Sequence, residues 1–328
     1  MADVMENESR KRSGWRTAFQ LVGLCVFLAY LFRSQDLLLA TLSSLGELRL
    51  LDFGAACLAM LASQLLVALR TRKLLSIVGF HFSFPKLAAD CLRAGTLNTI
   101  SLVGTGDVYR IARYREAGVP LGVASAVVVL DRLMGIGVLV VLFLCVGLGS
   151  LQSSSRIETG FLGFVAMIGG AVVGIALIIL FFSLSERWSR GPRFERLRSS
   201  LPMLREIAQD PVGGIQLVAI SGFAILMWIL SVVLLGRGMN LSVPIMGYFE
   251  AVPLVALAAM LPITVGGIGI RETGYILLLG LYGVSETACI ALGLAQYATF
   301  VMLACLGGCL FTMPDRFSKR PLLRTSKG

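Results

Sequence analysis

The chain holds one histidine, His81, in 328 residues, and only 15% of its residues are charged. A single histidine beside Phe82, after a basic stretch, suits the edge of an apolar layer better than a metal site or a general base. Seven cysteines (Cys25, Cys57, Cys91, Cys145, Cys289, Cys305, Cys309) are scattered through apolar stretches with no CxxC spacing. That scatter argues against a zinc site or a disulfide framework and predicts small buried hydrophobes. GxxxxGK[ST] is absent as well, which argues against ATP hydrolysis within the chain. Soluble domains carry about 25% charged residues, so the shortage here excludes an ordinary water-soluble fold. No cofactor or metal is implied, and no long linker or low-complexity region is visible.

What is abundant is apolar sequence. Hydrophobic residues make up 56% and mean hydropathy is +0.84. Uncharged runs occupy 17–32, 53–69, 133–155, 159–185, 211–236, 251–270 and 287–314. A spanning helix needs roughly 17–25 apolar residues at about 1.5 Å each, and most of these runs qualify. The first follows basic residues as a signal peptide does, but bulky Leu31, Phe32 and Arg33 replace a small-residue cleavage site. It reads as a retained anchor. Gly170 and Gly174 form a GxxxG spacing that points to close helix packing.

The net charge of +10 is distributed rather than pooled. Residues 1–16 hold four Lys/Arg, 70–93 five, 110–115 three, 187–205 six and 316–327 five. The segments 33–50, 150–160 and 237–247 hold only Arg33, Arg49, Arg156 and Arg237. This alternation follows the positive-inside rule and predicts cytoplasmic termini in a cytoplasmic (inner) membrane. It accounts for the basic excess without nucleic acid. The predicted fold is an all-α polytopic membrane protein with full spans near 17–33, 51–69, 119–149, 161–184, 212–236 and 286–312. A re-entrant element from the cytoplasmic side is expected over 87–103, and a second, from outside, between 241 and 284. That makes six full spans plus two re-entrant segments, or eight spans if both arms of the second dip cross. Three spans per half make 1–150 and 151–328 oppositely oriented, an inverted-topology repeat within a single transmembrane domain.

Two glycine-broken apolar stretches carry the clearest internal echo. LNTISLVGTGDVYR (97–110) and LPITVGGIGIRE (261–272) align at an offset of 165 positions. The offset brings Asp107 onto Glu272, Gly104 onto Gly269, Thr99 onto Thr264, Gly118 onto Gly283 and Val119 onto Val284. Interrupted hydrophobic segments at matching places in two halves point to a transporter's binding site. Asp131 and Arg132 lie in an apolar helix, with Asp131 roughly 17 Å past Pro120 and therefore near the bilayer midplane. A charge there faces a partner or a wet cavity. Adjacent helical residues point about 100° apart, so one of the two is expected to pair with another helix. The alternative is an ion pair that only fixes packing. Arg271 and Glu272 follow a Gly-Gly-Ile-Gly break whose freed N–H groups suit an anion. Asp107 and Arg110 share a helical face in the first half. For both pairs, solvated surface charge is the competing reading.

Asn98, GTGDVYR (104–110), Gly118 with Ala124, Asp131-Arg132, and Leu261-Pro262 followed by GGIGIRE (266–272) with Gly283-Val284 resemble the flippase-like domain family. This is the transmembrane region shared with lysylphosphatidylglycerol synthases. The resemblance is strongest over 90–135 and 255–300. It implies movement of a lipid or a lipid-linked headgroup between leaflets, and with the two inverted halves the expectation is a non-enzymatic transporter of a phospholipid or lipid-linked anionic headgroup working by alternating access. The motif positions are Asn98, Asp107, Arg110, Asp131, Arg132, Gly266, Gly267, Arg271 and Glu272, with Arg132 and Arg271 as expected anion contacts. Such synthases carry a soluble aminoacyl-transfer domain after the membrane part, whereas this chain runs into a basic tail. Transferase activity is therefore not expected. Two other readings remain open on the same scaffold. One is a secondary transporter of a small soluble anion. The other is a non-transporting subunit assisting a polyisoprenol-dependent glycosyltransferase or another lipid-modifying enzyme.

Overall fold

A computed structural model describes residues 35–101, 104–151, 210–260 and 267–312. The expected spans 17–33 and 161–184, the GxxxG spacing, the basic segments 1–16, 187–205 and 316–327, and Gly266 lie outside the described residues. All described regular structure is helical: α1 (Gln35–Gly46), α2 (Leu50–Ile77), α3 (Phe84–Ile100), α4 (Thr105–Glu116), α5 (Leu121–Leu151), α6 (Pro211–Gly238), α7 (Ile245–Ala259), α8 (Ile270–Leu279) and α9 (Glu286–Thr312). Four of these are long and apolar enough to cross a membrane: α2, α5, α6 and α9. Their outer faces carry exposed large side chains such as Leu58, Phe223, Met302 and Leu306. Exposed apolar side chains on long helices suit contact with lipid rather than water. The chain is a multi-pass integral membrane protein.

The helix boundaries follow from local chemistry. Pro211 opens α6, and the side chain of Asp210 accepts the Gly213 N–H at 2.8 Å, a first-turn cap. Pro85 similarly opens α3 behind Ser83. Short helices flank each glycine break: α3 and α4 around 101–104, α7 and α8 around 260–269. Gly104 (φ 100°) caps α4 and Gly269 (φ 87°) caps α8, a backbone region open to glycine and costly for other residues. The far ends match too. Gly118 (φ 86°) and Gly283 (φ 79°) turn the chain, and the next N–H bonds back to Tyr114 O in one case and Leu279 O in the other.

Packing crosses the chain midpoint. Helices α2 and α6 lie antiparallel: the Arg49 N–H donates to Gly238 O, and Ser63 Oγ donates to Ala224 O at 2.8 Å. Helices α3 and α9 also run antiparallel. Gly307 sits against the Leu92 carbonyl, and Thr96 Oγ1 donates to Ala304 O at 2.9 Å. Helix α5 packs on α7, with α6 alongside. The larger core unites Leu139, Ile229, Leu235, Tyr248, Tyr275 and Leu292; a second surrounds Leu74, Tyr114 and Val127.

One segment proves helical and two expectations need correction. The segment 33–50, poor in Lys/Arg, contains α1, whose Ser43 and Ser44 hydroxyls both bond back to Ala40 O. That bonding lets serines sit inside a helix. The basic stretch 70–93, read as a cytoplasmic loop, is mostly helix: α2 continues to Ile77 and α3 begins at Phe84, with Arg70 and Arg93 buried. Among the cysteines, Cys91 and Cys289 are buried as expected, but Cys145, Cys305 and Cys309 are exposed. An exterior built for lipid accepts a thiol as readily as the core does.

Candidate functional site

Asp131 is 2% exposed and anchors a buried ion network. Its Oδ1 accepts Arg70 Nε from α2 at 2.6 Å, and its Oδ2 accepts Arg110 Nη1 from α4 at 2.9 Å. Arg70 Nη1 continues to Ser221 Oγ on α6 at 3.1 Å. Arg110 Nη2 donates to Thr71 Oγ1 at 2.6 Å, and its Nε to Tyr114 Oη at 3.2 Å. The network around this carboxylate thus ties four helices, and every member is itself buried. Arg132, one residue on, points elsewhere: its Nε and Nη2 both reach Asp107 Oδ2 at 3.0 Å. The 100° step between neighbours is resolved as two separate pairings, and Asp131 does not neutralise Arg132.

Asn98 holds the first break together. Its Oδ1 accepts the Gly104 N–H at 3.3 Å and the Gly106 N–H at 2.9 Å. Glu272 performs a similar service in the second half, its Oε2 accepting the Gly269 N–H at 2.6 Å. Its Oε1 is buried without a partner and lies against Gly293, where any Cβ would crowd it. Gly267 (φ 75°) packs against Ala259 and the Arg271 guanidinium. Arg271 stacks over the Phe300 ring at 4.6 Å. Among the described residues Arg271 has no ion pair, and its Nη1 is buried without an acceptor. A buried donor left unpaired costs about 1–3 kcal/mol, more when charged.

These side chains border one cavity of about 290 Å³. Asn98, Asp107, Arg110, Asp131, Arg132 and Arg271 all line it, so residues from both glycine-broken regions face the same space. Glu272, 1% exposed, and Gly267 stand behind the wall rather than in it. Sequence reading missed Arg70, which also lines the cavity, and Trp228 and Phe300, which form an aromatic wall. An intramembrane carboxylate demands a cation, and Arg70 closes an apolar run, so that signal was present. Trp228 sits in a uniformly apolar helix with nothing around it in sequence to mark it.

The two halves link their elements at matching positions. Arg110 on α4 bonds Asp131 on α5; Tyr275 on α8, offset by 165, donates its hydroxyl to Gln296 Oε1 on α9 at 2.8 Å. The first link is ionic and the second neutral.

Long apolar helices around an arginine-lined cavity define the class: a helical polytopic membrane protein with a charged site between its helices. The particular family follows from comparison. The chain belongs to the family described as the lysylphosphatidylglycerol synthase TM region, whose match covers residues 18–307. That membership places it among membrane proteins related to lipid handling. No curated protein matches the chain.

Proposed function

We propose that the chain is a flippase-like lipid transporter that moves a phospholipid or lipid-linked anionic headgroup between leaflets by alternating access. The observation that carries this reading is Arg271, a cavity-lining guanidinium without a counterion among the described residues. Guanidinium stays charged and grips phosphate through two parallel hydrogen bonds. Arg132 faces the same space with 39% of its side chain exposed. Asn98, Asp107, Arg110, Asp131, Gly267 and Glu272 shape and hold the site, and Gly266 belongs to the same break.

Support for two inverted halves, 1–150 and 151–328, comes from the matched caps and the matched links at offset 165, together with the antiparallel pairing of α2 with α6. Helices α4 and α8, with 12 and 10 residues, rise only about 18 and 15 Å, half of the roughly 30 Å hydrocarbon core. That shortness favours two re-entrant hairpins beside six full spans. The location is a cytoplasmic (inner) membrane with both termini inside. A separate lipid-modifying enzyme or glycosyltransferase that makes or uses the lipid fits as a partner.

The test is reconstitution into liposomes containing a fluorescent anionic lipid, with quencher accessibility followed over time. Protein-dependent exchange between leaflets, slowed about tenfold by Arg271→Ala through loss of one charge-assisted contact, is expected. Exchange no faster than in protein-free vesicles sinks the reading.

A further inference from the structure

Apart from the Gln64 amide, which can both donate and accept, the polar groups left over in the cavity are cations and donors. Both lining carboxylates are already committed: Asp131 to Arg70 and Arg110, Asp107 to Arg132. Four arginines against two aspartates give the wall itself an excess of two positive charges, with Glu272 the next carboxylate behind it. The Asn98 carbonyl oxygen is occupied by two backbone N–H groups, so its amide NH2 is what remains. Arg271 has no counterion among the described residues. Beside it, Trp228 lines the same cavity and its indole Nε1–H is buried without an acceptor. Phe300 joins the two, touching the guanidinium at 4.6 Å and the indole edge-on at 6.2 Å between centroids. A ligand that brought an ammonium group would meet mainly cations and donors and, among the described lining residues, no uncommitted carboxylate. A ligand that brought phosphate oxygens would meet what the wall lacks.

We propose that the cavity is selective for a net-anionic phosphate ester headgroup, held by Arg271 with the Trp228 indole as second donor, and that it discriminates against an aminoacylated, ammonium-bearing one. This rests on reading the cavity as a headgroup site but not on transport, so binding tests it even where flipping is absent. The selectivity runs opposite to what the lysyl group in the family's description suggests.

Trp228 is its own reporter. The chain has three tryptophans, and replacing Trp15 and Trp188 by Phe leaves Trp228 alone. Full-length protein in neutral detergent is titrated with short-chain phosphatidylglycerol, the lysylated form of the same lipid, and inorganic phosphate. Expected is a saturable change in Trp228 emission with phosphatidylglycerol, at least tenfold weaker binding of the lysylated lipid, and no saturation by phosphate at matched concentrations. Arg271→Gln weakens phosphatidylglycerol binding about tenfold. Trp228→Phe, read by native mass spectrometry, weakens it severalfold while retaining the ring. Equal or tighter binding of the lysylated lipid overturns the proposal, as does unchanged affinity in both variants. Should Arg271→Gln not fold, the lipid comparison on the intact cavity and Trp228→Phe decide the matter. Comparable saturation by inorganic phosphate overturns the lipid assignment and gives the same donors to a soluble anion.

Discussion

Asp131 and Arg132 are neighbours in sequence with opposite structural duties. The Asp131 carboxylate serves two buried guanidiniums, so Asp131→Asn keeps the shape but leaves Arg70 with no carboxylate partner among the described residues and Arg110 with only the long 3.9 Å pair to Asp107. Breaking a buried pair in this way costs about 3–5 kcal/mol. The expected result is a lowered melting temperature and poor yield in detergent. Arg132 is partly exposed and its pair with Asp107 is of the surface kind, worth at most about 1 kcal/mol. Arg132→Gln should therefore melt close to the parent. Equal melting of both variants would show the Asp131 network to be energetically idle. The special standing of Asp131 was legible from charge in an apolar run. Its partners were only half legible: Arg110 stood in the same motif, whereas Arg70 hid in a segment whose other charges suggested a loop.

The glycine-broken hairpin α3–α4 depends on close backbone approach. Gly106 sits where any Cβ would overlap the Ala94 carbonyl, one helix away. Gly95, the next residue on α3 and lining the cavity, has open space where a Cβ would go. Gly106→Ala should push α4 off α3 and, as an overpacked site, cost about 1–3 kcal/mol. Gly95→Ala should be neutral or gain up to about 1 kcal/mol from helix propensity. Thermal melting of the two single variants compares them directly, and a Gly106→Ala protein as stable as Gly95→Ala contradicts the tight contact. The position of this break was readable from glycines beside charge. That Asn98 would clamp it was not, because its two N–H partners come together only when the chain turns back at Gly104.

Across the molecule, the joints at positions 165 residues apart differ in strength. Arg110 to Asp131 is a buried ionic link, and Tyr275 to Gln296 at the matching place is a single neutral hydrogen bond. Tyr275→Phe removes only the hydroxyl and should cost about 1 kcal/mol, well below the loss expected for Asp131→Asn. The α7–α8 hairpin is on this account the more weakly fastened of the two. Hydrogen exchange should open α8 before α4; the reverse order would contradict the ranking. Hydropathy made the helical class plain, because period and length survive without knowledge of contacts. The pairing of helices did not show in sequence, since α2 meets α6 across about half the chain and α3 meets α9 across more.

Orientation in the membrane rests on charge rather than on packing, and correction of the segment 70–93 bears on it. Arg70 and Arg93 are buried in helices, so they no longer count toward a cytoplasmic loop, while Arg72, Lys73 and Lys86 remain near the α2–α3 turn. The asymmetry survives because residues 187–205 alone contribute six Lys/Arg against the one, Arg237, in 237–247. Asn240 lies at the opposite end of α6 from Pro211, exposed, in a left-handed turn at φ 54°. In a background lacking the native cysteines, Asn240→Cys and Ser154→Cys should react with a membrane-impermeant thiol reagent in intact cells. Ser199→Cys should react only after permeabilisation. Labelling of Ser199→Cys in intact cells would reverse the orientation. Labelling of both Ser199→Cys and Asn240→Cys would put both ends of α6 on one face, and with that the inverted arrangement of the halves would fall.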